Sequence, residues 1–183
     1  MNKWRTKLLW RAAGLPTPAY ELINARNDPA GLAARLGLPL MVKPESKDVF
    51  VFGMGSGISA GAALGYPIEH LTVAENCKPV LRAAKFFESW NNGVLTDPRT
   101  RLCSEDARTV LKISPQQYDV IIAEPSNPWT VGIGSVFSRD FYQIAANRLK
   151  PGGIMAQWCQ IYEMNDGIVN LIVRTFADTF PVV

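Results

Sequence analysis

Histidine, cysteine and long apolar runs are what this chain has least of. One of its 183 residues is histidine and three are cysteine. Cys77, Cys103 and Cys159 lie far apart without metal-ligand spacing, and His70 alone cannot complete a site. No metal is therefore expected. Scattered cysteines, odd in number, read as reduced thiols packed as small hydrophobes, which fits a cytoplasmic setting. No run of eighteen apolar residues occurs, so no membrane span is expected. Residues 1–10 are basic but lack an apolar block with a small-residue cleavage site, so no secretory leader is expected either.

Excess charge is scarce too, and it is unevenly placed. Lys and Arg number 19 against 16 Asp and Glu, a formal net charge of +3. Residues 1–48 hold eight of the basic and four of the acidic side chains, and the rest of the chain holds eleven against twelve. The longer part thus shows no nucleic-acid footprint. What the chain does have is apolar surface to bury, 48% hydrophobic residues with 19% charged, so a packed core is expected rather than disorder.

The chain changes character near Pro44-Glu45-Ser46-Lys47, which divides it into expected segments 1–46 and 47–183. The first reads as helix (3–14), short strand (19–23), helix (28–36) and short apolar strand (38–43). From Asp48 the pattern is strand, glycine turn, helix, strand, repeated. Strands are expected at 48–52, 71–74, 99–103, 118–123 and 154–158. Helices are expected from the glycine turn to Leu64 and at 79–90, 107–113, 137–149 and 165–176. Continuous apolar strands alternating with helices imply a doubly wound, mostly parallel α/β sheet.

In such a sheet ligands bind beyond the carboxyl ends of the strands. Gly53, Gly55 and Gly57 follow the first strand, where a missing side chain lets backbone approach a ligand or simply turn tightly. Glu75 ends the second strand about twenty residues on, placed to accept both ribose hydroxyls or merely to stand exposed. Asp106, followed by Ala107, could accept from an adenine amino group or cap the next helix. The fourth strand closes in Glu124-Pro125-Ser126-Asn127-Pro128-Trp129. A carboxylate, an amide and an aromatic ring there suit an amine, with Glu124 accepting its proton as it attacks an electrophilic carbon. The plainer alternative is a stiff structural turn with a core tryptophan. Gln157, Trp158 and Tyr162 could wall the same pocket, with core packing the stronger reading for Trp158.

The stretches GMGSGISAGA, LTVAE, SEDAR, YDVIIAEPSNPW, VFSRDFYQIAANRLKPGG and MAQWCQIY together resemble the catalytic domain of spermidine synthases and their bacterial relatives. The resemblance implies an S-adenosylmethionine-dependent methyltransferase-like Rossmann fold. It also implies decarboxylated S-adenosylmethionine or S-adenosylmethionine as ligand, and a polyamine or other amine as acceptor. Glu124 stands where that family has its catalytic Asp, and Asn127 where it has a second, amine-holding Asp. Both are expected in the catalytic loop, with Gly53, Gly55, Gly57, Glu75, Asp106 and Ala107 toward the cofactor and Trp129, Gln157 and Tyr162 toward the acceptor.

The family's β-rich N-terminal domain has no counterpart, and Phe180-Pro181-Val182-Val183 falls where its final strands would begin. A sheet stopped there exposes an edge that invites self-association. Residues 1–44, through NKWRTKLLWRAAGLPTPAY and LGLPLMVKP, resemble a piece of D-alanine–D-alanine ligases, ATP-grasp enzymes whose nucleotide-contacting lysines are matched by Lys3 and Lys43. The functional expectation is aminopropyl transfer. The alternatives are methyl transfer, since Asn127-Pro128-Trp129 resembles the loop of N-methyltransferases, and an inactive chimeric module.

Overall fold

The computed structural model describes residue 35, residues 47–160 and residues 162–180. The chain divides into two units, Met1–Ser46 and Lys47–Val183. The second is described here. The elements expected within residues 3–43 and the terminal Pro181-Val182-Val183 lie outside the described residues.

Five strands form one sheet: β1 (Asp48–Phe52), β2 (His70–Ala74), β3 (Thr100–Cys103), β4 (Tyr118–Ala123) and β5 (Leu149–Gln157). Their order is β3-β2-β1-β4-β5, and every neighbouring pair is parallel. The chain winds outward from β1 through β2 to β3, then returns to the other side of β1 for β4 and β5. The strand order therefore reverses between β1 and β4, with Phe52 paired to Ala74 on one side and Ala123 on the other.

Alternation along β1 shows how the sheet is covered. Phe50 faces one core with Tyr118, Ile121, Phe141 and Tyr142, while Val49 and Val51 face a second with Ala60, Leu64, Leu71 and Val73. Successive strand side chains point to opposite faces, so both faces must be apolar and both must be covered. Helix α1 (Ile58–Leu64) and the segment from α2 (Lys78–Ala83) onward cover the Val49 face. Helices α3 (Ala107–Ile113), α4 (Arg139–Ala146) and α5 (Asp166–Ala177) cover the Phe50 face. The arrangement is the doubly wound sheet that the pattern implied.

Two elements differ from expectation. The helix expected over 79–90 ends at Ala83, tightens to a 3-10 turn over Ala84–Phe87, and gives way to turns. Its apolar spacing continues, but the turns that replace the helix are held by Asn91. That side chain is buried and its amide donates to Ala84 O at 2.9 Å and to Ser56 O at 3.0 Å. The helix end is traded for a bracket that reaches the glycine turn after β1. Gly61 is required there, since a Cβ on it would lie 2.0 Å from Asn91 O.

The helix expected over 137–149 is shorter at both ends, Arg139–Ala146: Ser138 caps its start by accepting from Phe141 N–H, and Leu149 at its expected end belongs to β5. Lys150-Pro151-Gly152-Gly153, between the expected helix and the strand expected at 154–158, lies within β5 as a bulge. Tyr118 pairs with Leu149 and Val120 with Ile154, so five steps of β5 answer two of β4. Gly152 at φ +75 and Gly153, whose Cβ would meet Lys150 O at 2.9 Å, allow the kink.

Candidate active site

All five strands point the same way, so the residues that follow them gather along one edge of the sheet. The reversal between β1 and β4 opens a crevice there. Gly53, Gly55 and Gly57 follow β1 at this edge with φ of +83°, +51° and +81°, values that L side chains rarely adopt. Their surroundings differ. A Cβ on Gly55 would meet nothing within 4 Å, and one on Gly53 would meet only Glu75 Oε2 at 3.9 Å. Gly57 is enclosed, with Asn91, Val94 and Met54 at 3.0 to 3.1 Å from the same virtual atom. Two glycines thus present bare backbone to open space, and the third seats the turn on the core.

Glu75 stands at the end of β2 and braces this turn. Its Oε2 accepts from Met54 N–H at 2.9 Å and its Oε1 from Cys77 N–H at 2.8 Å. Each oxygen keeps a further lone pair for a hydroxyl. Asp106 caps α3, with Oδ1 accepting from Thr109 N–H at 2.9 Å and Thr109 Oγ1 at 3.2 Å. The cap uses one oxygen of the two. Ala107 is buried in the core.

Glu124 follows β4 and is exposed. Ser59 Oγ, on the first turn of α1, donates to its Oε2 at 2.6 Å. This bond spans the crevice, joining the element after the glycine turn to the β4 loop. Three residues on, Asn127 Oδ1 accepts from Gln160 Nε2, and Tyr162 OH donates to Gln160 Oε1 at 2.6 Å. The Trp129 ring meets that of Tyr162 edge-on at 6.4 Å. The structure thus brings Asn127, Trp129 and Tyr162 together through Gln160. Beside them an open cleft of about 450 Å³ is lined by Pro128, Trp129, Glu163, Met164 and Ile168. Glu163 holds φ at +59°, unusual for a residue with a side chain.

Gln157 ends β5. Its Nε2 donates to Trp158 O at 3.0 Å, while its Oε1 is buried without a hydrogen-bond partner. A buried acceptor left unmade costs free energy, so this atom fits a ligand donor. Trp158 is corrected from core to surface, being 59% exposed. Its backbone N–H closes on Ala123 O at 2.7 Å. That bond extends the β4/β5 ladder by one step, so Trp158 falls on the same face as the exposed Ile154, opposite the buried Met155. Trp129 is also 46% exposed, so neither tryptophan is enclosed.

Sequence reasoning passed over Ser59, Gln160 and the apolar wall formed by Pro128, Met164 and Ile168. Ser59 looked like one more small residue in a helix of small residues. Gln160 lies three residues after Gln157 with nothing in the sequence to say which glutamine turns inward. Among the described residues no group of three or more His, Cys, Asp and Glu side chains could hold a metal ion, and no helix is long and apolar enough to cross a membrane.

Comparison with known proteins decides the family. The spermine/spermidine synthase domain profile matches residues 35–183. The chain belongs to that family. The polyamine aminopropyltransferase of Nitrosomonas europaea is 29% identical over 148 residues, covering 80% of this chain and 45% of its own. A polyamine aminopropyltransferase of Streptomyces coelicolor is 32% identical over 124 residues, or 65% of this chain and 23% of its own. The chain thus spans less than half the length of these relatives.

In three dimensions this member of the family superposes on the spermidine synthase of Thermotoga maritima with a TM-score of 0.65 at 23% identity, covering 76% of this chain and 47% of that one. It superposes on human methyltransferase-like protein 13 in complex with SAH with a TM-score of 0.61 at 16% identity, covering 75% and 64%. Both likenesses speak to fold. A separate, short N-terminal part is 53% identical over 47 residues to D-alanine–D-alanine ligase B of Chromobacterium violaceum, 26% of this chain and 16% of the ligase.

Proposed function

We propose that residues 47–183 form a transferase domain that moves an aminopropyl group from decarboxylated S-adenosylmethionine to an amine nitrogen of a polyamine. The observation that carries the reading is Glu124, a carboxylate at the β1/β4 crevice joined to the element that follows the bare glycine turn. The residues fit such a donor. Gly53 and Gly55 offer backbone, Glu75 offers lone pairs for ribose hydroxyls, Asp106 keeps an oxygen for an adenine amino group, and Gln157 Oε1 is a buried acceptor without a partner.

The donor supplies a carbon bonded to a positively charged sulfur. The amine lone pair forms the new C–N bond as the C–S bond breaks, and the bonding pair leaves on sulfur as a neutral thioether. The nitrogen then carries one proton too many, which Glu124 accepts. Asn127, fixed through Gln160 and Tyr162, and the rings of Trp129 and Tyr162 would border the acceptor. Asn127 is neutral, so it can orient an amine by hydrogen bonding without pairing ionically with an ammonium group.

The experiment is Glu124→Gln assayed with decarboxylated S-adenosylmethionine and putrescine or spermidine. Transfer is expected to fall while donor affinity is kept, and undiminished transfer would contradict the reading. Methyl transfer from S-adenosylmethionine is the second reading, favoured by the Asn127-Pro128-Trp129 loop and by the fold shared with methyltransferases. Product mass separates a methyl from an aminopropyl addition. Residues 1–46 are assigned to a ligase-like segment without ligase function. If neither donor binds, the chain is an inactive chimera of two families, a reading favoured by the ligase likeness at its start.

A further inference from the structure

We infer that Ser59 is a positioning residue for Glu124, an inference that rests on Glu124 being the base. Glutamate has three side-chain torsions and, on an exposed loop, many orientations. At Glu124 one oxygen is held by a hydroxyl at 2.6 Å, from a residue 65 positions away. A short hydrogen bond to a charged oxygen is among the stronger kinds. It engages Oε2 and leaves Oε1 free to take a proton. Ser59 lies two residues beyond Gly57, on the first turn of α1, so the base is aligned by the same element that follows the donor's glycine turn.

The bond does little for the fold. Its two ends are already held by the ladder between β1 and β4 and by the packing of Ala60 and Leu64 into the core. Ser59 is partly buried and Glu124 is exposed, so water can replace the lost partner. Removing the hydroxyl therefore disturbs where the carboxylate points more than whether the protein folds. A misplaced base costs the chemical step and leaves donor binding alone.

The test combines Ser59→Ala, Ser59→Thr and Glu124→Gln in a double-mutant cycle, measuring kcat, the KM for decarboxylated S-adenosylmethionine, and the melting temperature. Ser59→Ala is expected to lower kcat about tenfold, the worth of one hydrogen bond to a charged group. Donor KM should stay within about twofold, because the uniform binding terms are untouched. Ser59→Thr, which keeps the hydroxyl, should restore most of the rate. In the Glu124→Gln background Ser59→Ala should change nothing further, because Ser59 acts through the carboxylate. If the wild type turns over and Ser59→Ala equals it, or if the two substitutions multiply independently, the inference is overturned and the base reading stands. If Glu124→Gln transfers as well as the wild type, the base reading falls and takes the inference with it.

Discussion

At the amino ends of the strands Asp48, Asp119, Lys150 and His70 are paired with one another, whereas at the carboxyl ends Glu75, Asp106 and Glu124 are paired with backbone N–H groups and hydroxyls. Lys150 Nζ lies 2.5 Å from Asp48 Oδ2 and 2.9 Å from Asp119 Oδ2, and His70 Nδ1 lies 2.8 Å from Asp48 Oδ1. Asp119 Oδ2 also accepts from Asp48 N–H. That network ties β1, β4 and β5 together through Lys150, whose charge Asp48 and Asp119 share, and reaches β2 through the hydrogen bond between His70 and Asp48. The other end is anchored but not neutralised. Its carboxylates are placed by neutral donors, backbone N–H groups at Glu75 and Asp106 and a hydroxyl at Glu124. On the proposed function, one end of the sheet holds the strands together and the other receives the donor.

The largest effect is expected at the carboxyl end and in turnover rather than stability. Glu124→Gln should lower aminopropyl transfer by about 10² to 10⁴-fold, the usual share of a general base. Thermal unfolding should show a melting temperature close to that of the wild type.

Next comes the seat of the glycine turn. Gly61→Ala puts a methyl group into the Asn91 carbonyl, and overpacking of this kind costs about 1–3 kcal/mol, read by urea unfolding. Because Asn91 also holds Ser56 O, donor affinity should weaken in the same variant.

At the amino end, Lys150→Met should cost about 1–2 kcal/mol, between an exposed pair and a buried one, and leave transfer intact. Its pH signature sharpens the comparison. Burial alone would raise the pKa of Asp48, but the hydrogen bonds and charges of Lys150 and His70 outweigh it and hold the carboxyl below its ordinary range. Stability from that shift is whole above the ordinary carboxylate range and is lost as pH falls through the lowered value. Lys150 is shifted the other way by its bonds to Asp48 and Asp119, so its share is whole below the ordinary lysine range and lost as pH rises through the raised value. Lys150→Met should flatten both limbs of the melting temperature against pH.

The smallest effect belongs to Asp106→Ala, which removes the α3 cap at about 1 kcal/mol. If Asp106 also reads the adenine, the loss of donor affinity in calorimetry will exceed what the cap explains.

Much of this was legible in the sequence because it is set by alternation and by turn chemistry. The apolar run of β4, the strand–glycine–helix step at 48–64 and the capped helix at 107–113 are local, and local rules found them. Asn91 shows where local rules stop. The helical spacing runs on past Ala83, but the buried Asn91 amide holds the turns that replace the helix by donating to Ala84 O and to the distant Ser56 O. Pro151-Gly152-Gly153 reads as a stop in any chain, yet the partner strand holds it as a bulge. Trp158 reads inward by its chemistry, but it shares the outer face of β5 with the exposed Ile154. In the site, the polar strand-end positions followed from topology. Ser59 and Gln160 did not, because each acts through a partner more than thirty residues away.

The central claim is tested most directly by incubating the purified chain with decarboxylated S-adenosylmethionine and putrescine and weighing the product, with Glu124→Gln alongside. The account predicts a polyamine one aminopropyl group heavier in the wild type and little or none in the variant. Equal product from both, or none from a wild-type protein that binds the donor, would contradict it.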